Sequence, residues 1–367
     1  MASTGSTSSW TSARNPHFLS GASAVDLFCG VGGLTYGLIE SGIPVNAGFD
    51  IDGSCRYAFE RNNKTKFIQY DIGKLTSQDV AEQYPEDHIK ILVGCAPCQP
   101  FSAYAQRYKD KVKDQRWSLL YSFARIIRGI EPEIISMENV PLLTKYEPFV
   151  ELLATLKKMR YNVAYHNIRC ELYGVPQKRT RLVLLASRLG DIDIIPPTHE
   201  PGKFMTVRDA IGHLEKIKAG ESSKKDPLHR AQKLSELNKR RLLNSTPGGT
   251  WRDWDSDLIC PCHTKESGSS YASVYGRMSW DEPSPTITTN YFNYGSGRFG
   301  HPEQTRALSL REGAILQSFP DDYEFIATKE PVHFKRIATH IGNAVPVRIG
   351  KIIGQSIVHH LEGCANA

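Results

Sequence analysis

The sequence has no long apolar run, and no stretch approaches the roughly 20 residues that a helix needs to span a bilayer. We therefore expect no membrane association. The composition is that of a globular enzyme, with 40% hydrophobic and 23% charged residues among 367. That length predicts one large or two smaller domains with a sizeable core. The formal net charge of +6 at pH 7 permits a polyanionic partner without requiring one.

The eight cysteines show no repeating spacing and no apolar leader is present, so we expect a reducing cytoplasm rather than a disulfide framework. Cys95 and Cys98 have the spacing of a thioredoxin-like redox pair, but the chain does not have the size of a thioredoxin. Cys260, Cys262 and His263 have the residue types of a zinc site. No second pair at ligand spacing accompanies them, which favours a loop with two thiols, and we predict no metal.

The first half of the chain alternates between strand and helix patterns. Residues 1–21 are rich in Ser and Thr and are interpreted as a disordered extension. Over residues 22–193 the alternation predicts an α/β fold, doubly wound, with a mostly parallel sheet and helices on both faces. The strands are predicted over 24–28, 45–49, 67–70, 89–93, 134–137 and 181–186, and the main helices over 34–41, 119–130 and 149–159.

The second half is less regular. The prolines at 196–197 end the alternation, and the chain is then polar and glycine-rich to about residue 300. Basic runs such as 239–241 occur within it. We interpret residues 194–330 as a smaller, irregular domain in which Ser309 opens a late helix through a capping box. Residues 331–363 are expected to return to the first domain.

A glycine-rich turn over residues 28–33 follows the first predicted strand, where backbone amides can approach a cofactor. The dinucleotide fingerprint requires glycine where this chain has Thr35, which argues against an NAD-dependent oxidoreductase. Asp50 ends the second strand, at the place where an acid contacts ribose hydroxyls, and Asp71 follows the third strand. A purely structural turn is the alternative, but the two acids favour a nucleoside cofactor.

Two reactive side chains follow neighbouring strands. Cys98 follows the apolar run 91–94 and lies between two prolines. A free cysteine is usually a small buried side chain, but the prolines and Gln99 make a stiff, polar loop, which favours a nucleophile. Glu138 follows the apolar residues 134–137. A lone glutamate there is more often a cap or an ion-pair partner, but strand ends are where open α/β sheets place their chemistry. Together they indicate an active site.

Two basic segments accompany these residues. Arg179 and Arg181 alternate, so both project from one face of an extended segment, and a forked guanidinium suits a carbonyl oxygen or a phosphate. A solvated sheet edge is the alternative. Three lysines lie between Arg107 and Arg116, in a basic loop that is either merely solvated or positioned to meet phosphates.

These motifs, in this order, resemble the DNA (cytosine-5)-methyltransferase family. The similarity covers residues 24 to about 190 and 280–355. It says nothing about the residues between them, where the family's target-recognition region varies. The matching segments are the cofactor turn at 26–33, the nucleophile loop at 97–99, the acid motif at 138–140, the arginine motif at 177–181, the late helix at 306–320 and the closing motif at 342–345.

The resemblance implies S-adenosylmethionine as cofactor and double-stranded DNA as substrate, with residues 194–330 as the target-recognition domain. The implied catalytic residues are Cys98, Gln99, Glu138, Asn139, Arg179 and Arg181. The implied cofactor-binding residues are Phe28, Gly30, Val31, Gly32, Gly33, Asp50, Ile51, Asp71, Ile72, Pro97, Leu119, Asn343 and Val345.

The implied chemistry has a simple physical basis. Carbon-5 of cytosine is too weak a nucleophile to attack a sulfonium methyl, but addition of the Cys98 thiolate to carbon-6 makes it enamine-like. Glu138 would bind ring nitrogen-3 and the exocyclic amine, Arg181 would hold the carbonyl oxygen, and Arg179 would steady the loop. The base must be flipped out of the duplex, at a cost of a few kcal/mol.

Other functions fit less well. A tRNA cytosine-5 methyltransferase is the alternative, but that subfamily carries Cys-Phe-Thr and no cysteine here precedes a phenylalanine. A catalytically inactive DNA-binding protein would not need Cys98, Glu138 and Arg181. The length leaves no room for chromatin-reading domains, so we expect a monomeric, cytoplasmic enzyme of bacterial or phage type. Its expected partner is a cognate nuclease or another defence-system protein, and a solitary regulatory methyltransferase without such a partner is the alternative.

Base-contacting residues cannot be ranked from the sequence. The candidates are Arg252, Asn290, Asn293 and Arg298, and the stretch 286–289 is expected either to support the recognition surface or to form a buried strand.

Overall fold

The computed structural model describes residues 21–97 and 117–365. Strands and helices alternate through the first half, as the sequence predicts. The strands are β1 (Ala22–Leu27), β2 (Val45–Asp50), β3 (Lys66–Gln69), β4 (Ile89–Gly94), β5 (Ile134–Asn139), β6 (Asn162–Arg169), β7 (Gln177–Lys178), β8 (Thr180–Ser187) and β9 (Ser284–Pro285). The α-helices are α1 (Gly33–Glu40), α2 (Arg56–Asn63), α3 (Ser77–Ala81), α4 (Ser118–Ile130), α5 (Glu147–Lys158), α6 (Val207–Ile211), α7 (Glu236–Leu243), α8 (Glu266–Ser269), α9 (Leu310–Leu316), α10 (Phe334–Asn343) and α11 (Val347–Ala365).

The main sheet has seven strands in the order β3-β2-β1-β4-β5-β8-β6. The first five run parallel, while β8 is antiparallel to both β5 and β6. The predicted doubly wound, mostly parallel sheet is therefore confirmed. The chain builds outward from β1 to β3 and then reverses to β4 and β5, so a crevice is expected where β1 and β4 end. The candidate site lies at these strand ends.

Helix α11 closes one face of this sheet by packing on α1. The two helices approach closely because both carry glycine at the contact: a Cβ at Gly350 would lie 2.8 Å from the Leu34 carbonyl oxygen. The Ser41 hydroxyl donates to the Lys351 carbonyl oxygen at 2.9 Å. Apolar residues of α11, among them Ile349 and Ile353, share a core with β1 and β4. None of the described helices is both long and apolar enough to cross a membrane.

Two elements differ from the sequence prediction. Strand β6 was not predicted because most of its residues are exposed at the edge of the sheet, so it lacks the apolar run of a buried strand. The regular segment predicted over 337–361 is two helices, α10 and α11. Pro346 separates them, and the residue before it cannot easily remain helical.

The chain leaves the sheet region and returns to it at neighbouring points. The backbone N–H groups of Thr198 and His199 both donate to the Leu172 carbonyl oxygen, at 3.1 and 2.9 Å. On return, the Ser284 N–H donates to the Pro176 carbonyl oxygen at 2.9 Å, and β9 pairs with β7. Residues 200–283 thus form an excursion whose two ends are fixed to one short segment.

The excursion and its flank have a small core of their own. Its residues are Leu234, Leu242, Trp251, Trp254, Leu258, Tyr294 and Ala307. The predicted capping box is present at the start of α9, where the Ser309 hydroxyl accepts from the Glu312 N–H at 3.1 Å. The Glu312 carboxylate also binds the buried guanidinium of Arg306 at 2.6 Å.

Candidate active site

The turn after β1 has a left-handed backbone. Phe28, Gly30 and Gly32 have φ angles of 64°, 50° and 89°. A Cβ at Gly32 would collide with the amide nitrogen of Asn63, and one at Gly33 would collide with the Val345 carbonyl oxygen. Glycine is therefore required at both positions, because the turn is pressed between α2 and the segment that precedes α11.

The Asp50 carboxylate closes this turn from the neighbouring strand. It accepts the Gly30 N–H at 2.8 Å and the Asp52 N–H at 2.9 Å. Burial raises the pKa of Asp50, and these two bonds oppose the rise. Ile51 beside it is 65% exposed. An oriented carboxylate next to a glycine turn and an exposed apolar side chain has the donor and acceptor chemistry that a ribose and its base require.

Sequence reasoning missed the pair of Asp26 and Thr35. The Thr35 hydroxyl donates to the Asp26 carboxylate at 2.6 Å, and both residues are buried. Burial raises the pKa of Asp26 to about 7, although the Thr35 bond opposes the rise. Thr35 occupies the position where a dinucleotide fingerprint has glycine, so this contact explains the departure from that fingerprint.

Glu138 and Arg181 meet at the end of the sheet. In the antiparallel register of β5 and β8, Glu138 lies opposite Val183, so Arg181 is its diagonal neighbour on the same face. The Arg181 Nε lies 2.9 Å from one Glu138 carboxylate oxygen. The Cys95 thiol donates to the other at 2.8 Å. Glu138 is only 3% exposed, so both of its carboxylate oxygens are held inside the protein.

This cluster adjoins both the turn at 28–33 and the segment that leads to Pro97. The Cys95 N–H donates to the carbonyl oxygen of Leu27, the residue before the turn, at 3.3 Å. The Asn139 amide donates to the Ala96 carbonyl oxygen at 3.0 Å and so fixes the chain that leads to Pro97. Cys98, Gln99 and the basic loop from Arg107 to Arg116 lie outside the described residues.

Arg179 is buried behind Arg181. Its guanidinium donates to the Ile287 carbonyl oxygen at 3.1 Å and lies 3.4 Å from the Gln177 side-chain oxygen. Burial, followed by the nearby charge of Arg181, lowers the pKa of Arg179 to about 9. The stretch 286–289 thus lies against the arginine motif and does not form the strand that was one of its two predicted structures, although Ile287 is fully buried. Arg179 therefore binds other groups of the protein.

Two glutamines that sequence reasoning gave no role connect the distant motifs. The Gln177 amide donates to the Leu316 carbonyl oxygen and to the Gln317 side-chain oxygen, both at 3.0 Å. The Gln317 amide in turn donates to the Ile341 carbonyl oxygen at 2.8 Å. Both side chains are fully buried. The arginine motif, the late helix and the closing motif therefore meet at one point.

The other predicted cofactor-binding residues differ in exposure. Pro97 and Asn343 are exposed and Leu119 is half-buried. The Asp71 carboxylate accepts the Gly73 N–H at 2.9 Å. Three residues belong to the hydrophobic cores and are nearly inaccessible: Val31, Ile72 and Val345.

The recognition candidates are dispersed. The Arg252 guanidinium lies over the Trp251 ring at 5.5 Å and donates to the Ser269 carbonyl oxygen at 2.9 Å. The Asn293 side chain accepts the Gly295 N–H at 3.1 Å, Asn290 is exposed, and Arg298 is half-buried. The basic run 239–241 lies near the end of α7, and its side chains bind other groups of the protein. Its three contacts are Lys239 with Glu236, Arg240 with Asp257, and Arg241 with the Leu258 carbonyl oxygen.

Comparison with known proteins decides the family. The model of the family described as C-5 cytosine-specific DNA methylase matches residues 22–359. The chain belongs to this family. It is 51% identical over 342 residues to the Type II methylase M.HgiDII of Herpetosiphon aurantiacus, covering 92% of this chain and 96% of that protein. It is 32% identical to the Type II methyltransferase M.Eco47II of Escherichia coli, covering 92% of this chain and 79% of that protein.

Solved structures share the fold of this methyltransferase. A prophage-encoded DNA modification methyltransferase of E. coli has a TM-score of 0.70 at 22% identity, covering 93% of this chain and 99% of that chain. The Dnmt2 methyltransferase of S. pombe has a TM-score of 0.57 at 20% identity, covering 93% and 99%. The chain is therefore a DNA (cytosine-5)-methyltransferase, and its family and fold imply S-adenosylmethionine as the methyl donor.

Proposed function

We propose that this enzyme methylates carbon-5 of a cytosine flipped out of duplex DNA, through a covalent bond to Cys98. The observation that carries the proposal is the Glu138 carboxylate, buried and held between the Arg181 guanidinium and the Cys95 thiol. It lies at the strand ends beside the turn at 28–33, and Cys95 is three residues before Cys98 in the chain.

The Glu138 cluster suits the polar edge of cytosine. Glu138 would accept from the exocyclic amine and share one proton, taken up from solvent, with ring nitrogen-3, and these contacts would replace the weak thiol donor Cys95. Arg181, part of whose fork is exposed, would donate to the carbonyl oxygen. These contacts would offset the charge that develops on the ring when a sulfur–carbon bond forms at carbon-6.

The proposed steps begin with addition of the Cys98 thiolate to carbon-6. Carbon-5 would then take the methyl group as the bond between that group and the sulfonium sulfur breaks, which releases a neutral thioether. A base removes the carbon-5 proton, and the bond between sulfur and carbon-6 breaks to release the thiolate. Flipping the base out of the duplex would give Cys98 and the methyl donor access to the cytosine ring.

The cofactor would lie along the turn at 28–33. The carboxylate of Asp50 would accept from ribose hydroxyls, exposed Ile51 would contact the base, and the left-handed backbone at Gly30 would leave room for close approach. The bound S-adenosylmethionine supplies an electrophilic sulfonium methyl. A Cβ built at Gly30 would have no described atom within 4 Å, so the space beside this residue is open to a cofactor.

The enzyme would act as the modification component that protects self DNA from a cognate nuclease. The support is the likeness to M.HgiDII and M.Eco47II, both named as Type II enzymes. We further propose that the excursion 200–283, with its flank, reads the target sequence.

Base-resolution sequencing of 5-methylcytosine tests the proposal. DNA is taken from a methylation-free host that expresses the wild-type chain, the Cys98→Ser variant or the Cys364→Ser variant. We expect methylation at one short motif with the wild type and with Cys364→Ser, and none with Cys98→Ser. The matched control removes a thiol far from the site near the end of α11.

Two outcomes would overturn parts of the proposal. Full methylation by Cys98→Ser would exclude the covalent mechanism. An absence of methylated DNA with the wild type, together with methylated tRNA from the same cells, would favour the tRNA alternative.

A further inference from the structure

Three potential metal ligands come together in the small core of the excursion. The ligand atoms of Cys260, Cys262 and His263 all lie within 4.8 Å of one another. The sequence shows the residue types of a zinc site here, and the prediction of no metal rested on the lack of a second pair at ligand spacing. Here the segment is a turn, in which the His263 N–H donates to the Cys260 carbonyl oxygen at 2.8 Å.

The imidazole of His263 carries an unexplained polar atom. The residue is 4% exposed, and its Nδ1 has no hydrogen-bond partner among the described residues. Leaving a buried polar group unsatisfied costs about 1–3 kcal/mol. Stacking on the Trp251 ring at a centroid distance of 4.3 Å holds the imidazole in place. A bound ion would give the His263 imidazole a polar partner that the surrounding residues do not supply.

We propose that Cys260, Cys262 and His263 bind one zinc ion, with solvent as the fourth ligand. Two thiolates and a neutral imidazole select zinc over magnesium or calcium, which prefer oxygen ligands. Tetrahedral zinc sites place such ligand atoms roughly 3.5–3.8 Å apart, so a side-chain adjustment of about 1 Å completes the geometry. Binding releases the two thiol protons to solvent.

Exposure supports an open fourth position. Cys262 is exposed while Cys260 and His263 are buried, so the cluster has one side toward water and two ligands anchored in the core. The Cys262 carbonyl is closely covered from the other side: a Cβ at Gly268 would collide with it. An ion can therefore reach the cluster from the side of Cys262, while the loop that carries the ligands is held in place.

The location also favours a structural ion. Between α7 and β9, the described chain has one α-helix, the four-residue α8. The local core is a small cluster in which Trp251, Trp254 and Tyr294 are the largest members. Small cores with little regular structure commonly rely on a metal or another cross-link. Zinc would hold the segment 260–263 against Trp251 and Tyr275.

Metal content of the full-length protein tests this inference independently of methyl transfer. The chain is purified without chelators from zinc-supplemented cells, and zinc is measured by mass spectrometry. We expect about one zinc ion per chain for the wild type and for Cys364→Ser, and a loss of at least about tenfold for Cys262→Ser. Cobalt added to the zinc-free wild type should give thiolate-to-cobalt charge-transfer absorption that Cys262→Ser lacks.

The inference fails if the wild type binds neither ion, or if Cys262→Ser retains both the zinc and the cobalt absorption. It also fails if thiol counting on the denatured protein, purified anaerobically and kept free of reductant, finds Cys260 and Cys262 joined in a disulfide. Circular dichroism checks that Cys262→Ser is folded. If it is not, chelation of the wild type replaces it: a lowered Tm that zinc restores supports the site, and an unchanged Tm overturns it.

Discussion

At the scale of single residues, the Glu138 carboxylate has two unlike partners. The Arg181 guanidinium is a permanent cation, whereas the Cys95 thiol is a weak donor. Arg181 thus orients the carboxylate, while Cys95 occupies a position that a stronger donor on a substrate can take. Cys95 is in this view a positioning residue that acts through Glu138.

Replacing Cys95 with alanine should lower kcat/KM about fivefold, because the unbound Glu138 carboxylate loses a donor worth about 1 kcal/mol that orients it before the base enters. Cys95→Ser should restore most of the activity, since a hydroxyl donates to the same oxygen. Single-turnover methylation of a DNA duplex measures the effect, with Cys364→Ala as the control. Equal rates for wild type and Cys95→Ala would show that the thiol does not position the acid.

The Asp50→Asn substitution should weaken cofactor binding. The carboxylate holds two backbone N–H groups and faces the proposed ribose position, so losing its charge should raise the Kd for S-adenosylmethionine about 10- to 100-fold. Titration calorimetry measures the Kd. The matched control is Asp322→Asn at an exposed carboxylate. An unchanged Kd for Asp50→Asn would place the cofactor elsewhere.

At the scale of elements, the fully buried Gln317 joins segments that are far apart in the chain. It accepts from Gln177 and donates to the Ile341 carbonyl oxygen. The Gln317→Ala variant should lower the free energy of unfolding by about 1–3 kcal/mol, because a buried carbonyl and a buried amide lose partners. Urea unfolding measures this, and Gln78→Ala on exposed α3 should be nearly neutral. Equal midpoints for the two variants would contradict the argument.

The elements that the sequence predicted well are those whose burial is uniform. All six residues of β1 are buried, and β5 likewise, so apolar runs mark both strands. Strand β6 is an edge with mixed exposure, and its residues carry no such pattern. Its position follows from pairing with β8, which is a tertiary interaction rather than a local preference.

The residues of the candidate site also fall into those whose positions the sequence predicts and those whose contacts it does not. Glu138, Arg181 and Asp50 were predictable because polar residues at the ends of apolar strands are conspicuous in a sequence. The bond between Gln177 and Leu316 joins residues 139 positions apart, and no local pattern indicates it. The contacts of Cys95 and of Thr35 were missed for a related reason: each is a short side chain that looks like ordinary packing until its partner is placed.

At the scale of the whole molecule, net charge and local charge differ. The chain carries a formal charge of +6, but the run 239–241 is paired within its own domain. A basic run is therefore a poor guide to the DNA-binding face in this protein. The lysines at 109, 111 and 113 lie outside the described residues, and their two predicted roles, a solvated loop or phosphate contacts, both stay open.

DNA affinity should fall steeply with salt, because each neutralised phosphate releases counterions. Fluorescence anisotropy at increasing salt gives the slope of log affinity against log concentration. Replacing Lys109, Lys111 and Lys113 with glutamine should make the slope shallower by about 3. Lys239→Gln should leave it unchanged, since that ammonium is paired with Glu236. A flat dependence in the wild type would exclude an electrostatic footprint.

The two anchors of the excursion have an evolutionary consequence. Entry at Leu172 and exit at Pro176 lie on one short segment, so the two ends of residues 200–283 are fixed close together. Closing a longer or shorter chain between fixed ends changes the entropy only slowly with length. Insertions and deletions in the exposed loops of this excursion should therefore cost little stability, and its length can change while the strand ends stay in place.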